Sequence, residues 1–193
     1  MPAFDQGRKW PIDELKRNAM PPGRFYLSPF IVRAGIGNNL FTLGAEDGMG
    51  ICDLDAPDAS ETPSVAFAFR TGEVWSIDTT LLTYHPGLLV GEIEKLYTAR
   101  LEDYARFLGS IGAAKPYRWI AGVTDVKGRR LQVPVLHTQG SIGLVASECL
   151  AKNIIAEGTY DGTQPPAVAL IPFFDAIFDE CGARRPERSV AAV

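Results

Sequence analysis

The two histidines, His85 and His137, are the side chains best suited to zinc binding or general acid–base chemistry. Structural and catalytic zinc sites normally combine Cys and His ligands at short, paired spacings. Neither histidine has a second ligand at such a spacing. His85 also precedes a proline at the predicted start of a helix, where hydrogen bonding in the turn explains it. We therefore expect no metal site and no cofactor.

Motifs for nucleophilic catalysis and for nucleotide binding are incomplete in this chain. In the segment HTQGSIG at 137–143, Gly140 directly precedes Ser141. A nucleophile elbow instead needs glycines two residues before and two residues after the serine. The glycines at 35 and 37 lack the third glycine of a dinucleotide fingerprint, and no predicted helix follows them. An enzyme would have to use carboxylates such as Glu73, Asp78 and Glu92, whose spacing neither supports nor excludes that chemistry.

A cluster of basic and aromatic residues is the sequence feature that most favours a specific function. The segment 115–130, predicted to be a hairpin, contains Tyr117 and Trp119 among basic residues and a single acid, Asp125. Aromatic and basic side chains on a β-ribbon can stack on bases and hold phosphates. The candidate nucleic-acid-binding residues are Arg118, Lys127, Arg129 and Arg130. Because side chains alternate along a strand, Arg129 and Arg130 point to opposite faces and cannot both line one groove. Basic residues on an edge hairpin also commonly prevent aggregation, which is the alternative explanation for these residues.

Composition places the chain among ordinary globular proteins. Its 193 residues are 46% hydrophobic and 22% charged, and the net charge of −4 argues against a dedicated nucleic-acid-binding protein. No run of about 18 apolar residues is present, so we expect a soluble protein without membrane contact. The cysteines, Cys52, Cys149 and Cys181, are odd in number and far apart. Reduced thiols and a cytoplasmic location are the resulting expectations.

The first third of the chain is predicted to contain an arm, a hairpin and a loop. Residues 1–23 are an N-terminal arm, in which a helix over 12–19 docks through Trp10, Ile12 and Leu15. Residues 30–32 and 40–43 are predicted to be strands of a hairpin. Residues 44–64 are rich in glycine, proline and acid without periodicity, which is typical of a solvated loop.

Alternating residues give the clearest local prediction, a hairpin over 65–77. Val65 and Phe67 alternate with alanines, and Trp75 and Ile77 continue the alternation after Arg70-Thr71-Gly72. A three-residue loop with Gly72 in the left-handed region pairs Phe67 with Trp75. We expect the large apolar side chains of this hairpin to be buried against the following helix.

The remaining elements complete an α+β fold. An apolar stripe predicts a helix over 88–108, and a second helix over 167–181 ends at Gly182, with Pro172 either kinking it or lying in its first turn. Strands at 117–123 and 129–135 are predicted to form a second hairpin, and 153–157 a further strand. The expected fold is a mostly antiparallel sheet of hairpins covered by two main amphipathic helices. It makes one domain over 24–182, with a flexible tail over 183–193.

The segments AFRTGEVWSID at 68–78 and PYRWIAG at 116–122, together with the helix between them and VKG at 126–128, resemble a bacterial family. They are similar to the C-terminal region of proteins that carry a Schlafen-type, Alba-like DNA-binding domain in their N-terminal half. The resemblance covers roughly residues 65–182 and implies an accessory module. Residues 1–64 do not resemble the Alba-like domain, so DNA binding is not implied for them.

Three functional hypotheses follow. The first is a non-catalytic interaction or accessory module of a bacterial system, with a protein partner or a homo-oligomer. The second is weak nucleic-acid binding through the 115–130 hairpin, and the third is a small-molecule enzyme with carboxylate chemistry.

Overall fold

The computed structural model describes residues 8–20, 40–53, 62–133 and 148–186. In these ranges the helices are α1 (Ile12–Ala19), α2 (Thr80–Tyr84), α3 (Val90–Ser110), α4 (Pro166–Ala169) and α5 (Ile171–Glu180). The strands are β1 (Leu40–Ala45), β2 (Gly48–Asp53), β3 (Ser64–Phe69), β4 (Val74–Asp78), β5 (Leu88–Leu89), β6 (Tyr117–Thr124), β7 (Leu131–Gln132) and β8 (Asn153–Tyr160). The expected α+β class is confirmed. None of these helices has the length and hydropathy needed to cross a bilayer.

The chain divides into two compact units, each described by itself below. Unit 1 comprises Met1–Tyr84 and Ala99–Pro116, and unit 2 comprises His85–Thr98 and Tyr117–Val193. Helix α3 contributes to both. The prediction of one domain over 24–182 stays a prediction.

Unit 1 contains a four-stranded antiparallel sheet in the order β1-β2-β3-β4. The β3–β4 hairpin has the predicted register, with Phe67 opposite Trp75 and Val65 opposite Ile77. The amide of Phe69 donates to the carbonyl of Glu73 at 2.8 Å, and Gly72 has a φ of 87°, so the three-residue loop is confirmed.

The predicted orientation of this hairpin is wrong, because its large side chains do not face the core. Ala66 and Ala68 are fully buried, whereas Trp75 is 39% and Ile77 55% exposed. The small alanines leave room on their face for bulky side chains from outside the sheet. Among the described residues, the buried core of unit 1 comprises Trp10, Leu15, Ala19, Met49, Ile51, Ala66, Ala68, Phe107 and Ile111.

The N-terminal helix docks on this core as predicted. Leu15 is fully buried, and the indole of Trp10 donates to the carbonyl of Ile111 at 2.7 Å. Arg70 Nε in turn donates to the carbonyl of Trp10 at 3.1 Å, which ties the β3–β4 loop to the segment before α1.

The prediction of a loop over 44–64 is wrong at both ends, which belong to β1 and β3, and for residues 48–53. These form β2, which pairs with both β1 and β3. Met49 and Ile51 alternate with small residues, and the acids of the segment obscured that alternation. The strand predicted at 30–32 lies outside the described residues.

Unit 2 contains an antiparallel pair of β6 and β8, from Tyr117 opposite Tyr160 to Thr124 opposite Asn153. The predicted hairpin of 117–123 with 129–135 is therefore wrong. Beyond the turn at Asp125, residues 131–132 instead pair in parallel with β5. The apolar residues of β8 alternate in phase with those of β6, so a distant strand replaces the local partner.

The C-terminal helix agrees with the sequence prediction except that it is divided into α4 and α5. Its predicted apolar face is buried at Leu170, Phe174, Ile177, Phe178 and Cys181. Pro172 lies in the first turn of α5, and Gly182, with a φ of 64°, follows its end. Arg185, in the predicted flexible tail, pairs with Glu94 and Asp175, each at 3.1 Å.

Cys149 and Cys181 form a disulfide, so the expectation of three reduced thiols is wrong for this pair. The two residues are 32 positions apart in the sequence. The chain entering β8 runs beside the end of α5, where the amide of Leu150 donates to the carbonyl of Glu180 at 3.1 Å. Cys52 is buried and takes no part in the disulfide.

Candidate functional site

The four basic candidates do not form a basic strip. Arg118, on the exposed face of β6, contacts the carboxylate of Glu157 on β8 at 2.5 Å. Arg130 lies 3.5 Å from the carboxylate of Glu148. Both side chains are more than half exposed, and each has an acid beside it. The adjacent carboxylates therefore reduce the positive potential that these two arginines would offer to a phosphate.

The other two candidates have different environments. The guanidinium of Arg129 donates to the carbonyl of His85 at 2.9 Å and to that of Asp125 at 3.3 Å. Lys127 is exposed in the turn after β6. Because the predicted hairpin is not formed, β-sheet pairing does not bring these residues onto one face with Arg118.

We expect oligonucleotide binding by these residues to be weak and undetectable at about 0.2 M salt, because few phosphate contacts give a low affinity that salt reduces further. The measurement is a salt titration of fluorescence anisotropy with a labelled dT12 oligonucleotide. Arg118→Ala, Lys127→Ala and Arg130→Ala should each change the affinity less than twofold. Tight binding above 0.2 M salt that is lost in any of these variants would contradict this assignment.

The carboxylates proposed for an enzyme do not converge. Asp78 accepts a hydrogen bond from the amide of Thr80 at 2.8 Å and so caps the start of α2. Glu73 is exposed, five positions earlier, and alternation places it on the opposite face of the sheet. Glu92 is exposed in the first turn of α3, in unit 2.

A buried carboxylate that the sequence did not predict is Asp103, which lies 2.9 Å from Arg106. Burial raises the pKa of Asp103, although Arg106 and Arg100 oppose that shift. Among the residues that the structure describes, no three His, Cys, Asp or Glu side chains come together as metal ligands. The serine and histidine of 137–143 lie outside those residues.

Unit 2 has a depression of about 240 Å³ lined by Asp175, Asp179, Arg184 and Arg185. Arg185 pairs there with Asp175, and its guanidinium also lies 5.2 Å from the ring of Phe174. This pairing offsets the charge of Asp175.

The exposed side of the unit 1 sheet carries a cluster that we call the aromatic sheet face: Leu43, Phe67, Phe69, Trp75 and Ile77. Phe67 lies 4.7 Å from Phe69 and 6.2 Å from Trp75 between ring centroids. Phe67 and Phe69 are half-buried, whereas Leu43 and Trp75 are 40% and 39% exposed. A contiguous apolar surface of this kind on a monomer is typical of an interaction site.

Two glycines fix the orientation of the rings. A Cβ atom built at either Gly48 or Gly50 would lie 2.6 Å from the ring of Phe67, so this ring lies flat across β2. The planes of Phe67 and Trp75 differ by only 18°. The two rings therefore present their faces in nearly the same direction, as a platform rather than as interdigitating edges.

Exposed acids lie at the loop ends of this face. Glu73 shares the face by alternation, because its carbonyl continues the ladder with Phe69. Glu46 and Asp47 are exposed at the adjacent β1–β2 turn, where the carbonyl of Asp47 accepts from the amide of Arg70. The guanidinium of Arg70 is held by the carbonyl of Trp10, a residue of the buried core.

Sequence reasoning identified the aromatic residues and their register but not their exposure. The signal that could have revealed it lies in β2, where Gly48 and Gly50 alternate with Met49 and Ile51. When a strand carries glycines on one face and large apolar residues on the other, the face with the large apolar residues packs against the core.

Comparison of the chain with protein-family models, with curated proteins and with solved structures finds no match. The resemblance noted for residues 65–182 stays a prediction.

Proposed function

We propose that this chain is a non-catalytic interaction module that binds a protein partner through the aromatic sheet face. The observation that carries the proposal is the inverted hairpin, in which alanines fill the core and aromatic rings face outward. A hairpin with only a structural role would place its large side chains in the core, where their burial stabilises the fold most.

The composition of the face also supports a protein partner. Aromatic residues are enriched at protein interfaces because they offer a large apolar area at a low cost in side-chain entropy. The platform is rigid, since its rings are attached to the central strand β3 and the edge strand β4 of a continuous ladder. Preorganisation of this kind reduces the entropy lost on binding.

The proposal places this module in a bacterial accessory system, as the resemblance implies. The disulfide between Cys149 and Cys181 counts against the cytoplasmic location expected from the sequence, because disulfides are rare in strongly reducing compartments.

Site-specific photocrosslinking tests the proposal. A benzophenone amino acid at Trp75 in the full chain, expressed in the native cells, should give discrete adducts of higher mass on irradiation. Ile120 is the matched control, because it is 67% exposed on a strand of unit 2. Adducts of equal yield from both positions, or none from position 75, would reject the face as an interface.

A further inference from the structure

We infer that the aromatic sheet face recognises a basic peptide segment, an arginine or lysine side chain of which lies on Trp75 and pairs with Glu73. The inference rests on the proposed function, and it specifies the chemistry of the partner. A cation over an aromatic ring is attracted by the negative face of the ring, and Trp is the strongest such ring.

The geometry supplies both elements of this recognition. Trp75 and Glu73 are two positions apart on the same face of the sheet, so their side chains are neighbours. The indole is 39% exposed, and its plane lies within 18° of the ring of Phe67, which is flat on the sheet. The face of the indole is thereby turned toward an approaching side chain. Glu73 is exposed, and the hydroxyl of Thr71 lies 3.4 Å from its carboxylate. This contact holds the acid at the loop end of β4.

Charge complementarity selects a basic partner over a nucleic acid. Base-stacking platforms in nucleic-acid-binding proteins are accompanied by Lys and Arg that hold the phosphates. Among the described residues, the exposed acids at the loop ends of this face are Glu73, Glu46 and Asp47. Arg70 follows Phe69 and so alternates to the other face of the sheet, where its guanidinium donates to the carbonyl of Trp10. A phosphate backbone would be repelled where an ammonium or guanidinium group is attracted.

The exposed area of the face favours a peptide as the partner over a second copy of the chain. A stable interface buries about 800 Å² on each partner. Among the described residues, the exposed apolar area of this face comes mainly from Leu43, Trp75 and Ile77, which are 40%, 39% and 55% exposed. This area suits a short segment with one or two anchoring side chains. A copy of the same face would also bring the carboxylates of Glu73 and Glu46 toward like charges.

Fluorescence anisotropy of labelled peptides with the full chain tests this inference. The probes are (Gly-Ser-Arg)4, (Gly-Ser-Glu)4 and the oligonucleotide dT12. The arginine peptide should bind, and the other two probes should bind at least tenfold more weakly. Trp75→Ala should weaken arginine-peptide binding about fivefold, the size of an exposed cation–π contact. Glu73→Gln should weaken it about threefold, the size of an exposed ion pair. Trp75→Phe should retain most of the affinity, and far-UV circular dichroism verifies the fold of each variant.

Glu180→Gln is the control for loss of a negative charge, because Glu180 is exposed in unit 2. It should leave the affinity unchanged. The inference is overturned if the arginine peptide does not bind, if the glutamate peptide binds equally, or if Glu180→Gln weakens binding as much as Glu73→Gln. Binding of dT12 that depends on Trp75 would overturn it in favour of a nucleic acid. If crosslinking from Trp75 succeeds while the arginine peptide fails, the interaction surface stands and only the basic partner is rejected.

Discussion

Replacing Trp10 by alanine should lower the free energy of unfolding by about 3–5 kcal/mol, as truncations of large core aromatics do. Trp10 is 6% exposed and packs in the core of unit 1. Its indole also donates to the carbonyl of Ile111, which would lose this partner. The measurement is urea denaturation followed by far-UV circular dichroism.

Trp75→Ala is the matched control, since it removes the same side chain from the opposite side of the same sheet. Its expected cost is about 1 kcal/mol or less, the value of a cross-strand aromatic contact such as that with Phe67. A loss at Trp75 as large as that at Trp10 would mean that the aromatic sheet face is buried. It would remove the basis of the proposed interaction surface.

Much of the fold could be predicted from local periodicity. The register of β3 with β4, the helix at 12–19 and the buried face of 170–181 depend on residues close in sequence, where alternation and helical spacing are direct signals. The pairing of β6 with β8 could not be predicted in this way, because about thirty residues separate the strands and the intervening turn suggests a local hairpin.

The candidate site failed to emerge from the sequence for a related reason. Alternation shows which residues share a face, but the identity of the buried face depends on what packs against it. Trp10 and Phe107 lie far from β3 in the sequence, yet they belong to the same buried core as Ala66 and Ala68. The larger side chains at Phe67 and Trp75 suggested the opposite orientation, because large apolar residues are usually inside.

The second large effect is expected from the disulfide of unit 2. The double variant Cys149→Ser with Cys181→Ser should lose about 3–4 kcal/mol of unfolding free energy, the loop-closure value for a bond between residues 32 positions apart. The bond joins the chain entering β8 to the end of α5, which packs on that strand. Both cysteines are 1% exposed, so their replacement by serine also buries two hydroxyl groups.

Two controls separate the covalent bond from the polarity of serine. Cys149→Ala with Cys181→Ala removes the bond without adding hydroxyl groups and should lose nearly as much stability. Cys52→Ala changes a buried cysteine outside the bond and should cost far less. Thiol titration in guanidinium should find one reactive thiol in the untreated protein and three after reduction, since the chain has three cysteines and one bond. Three thiols without reduction would show that the bond does not form in solution. In that case the reduced cytoplasmic protein expected from the sequence would be restored, and added reductant would leave the unfolding curve unchanged.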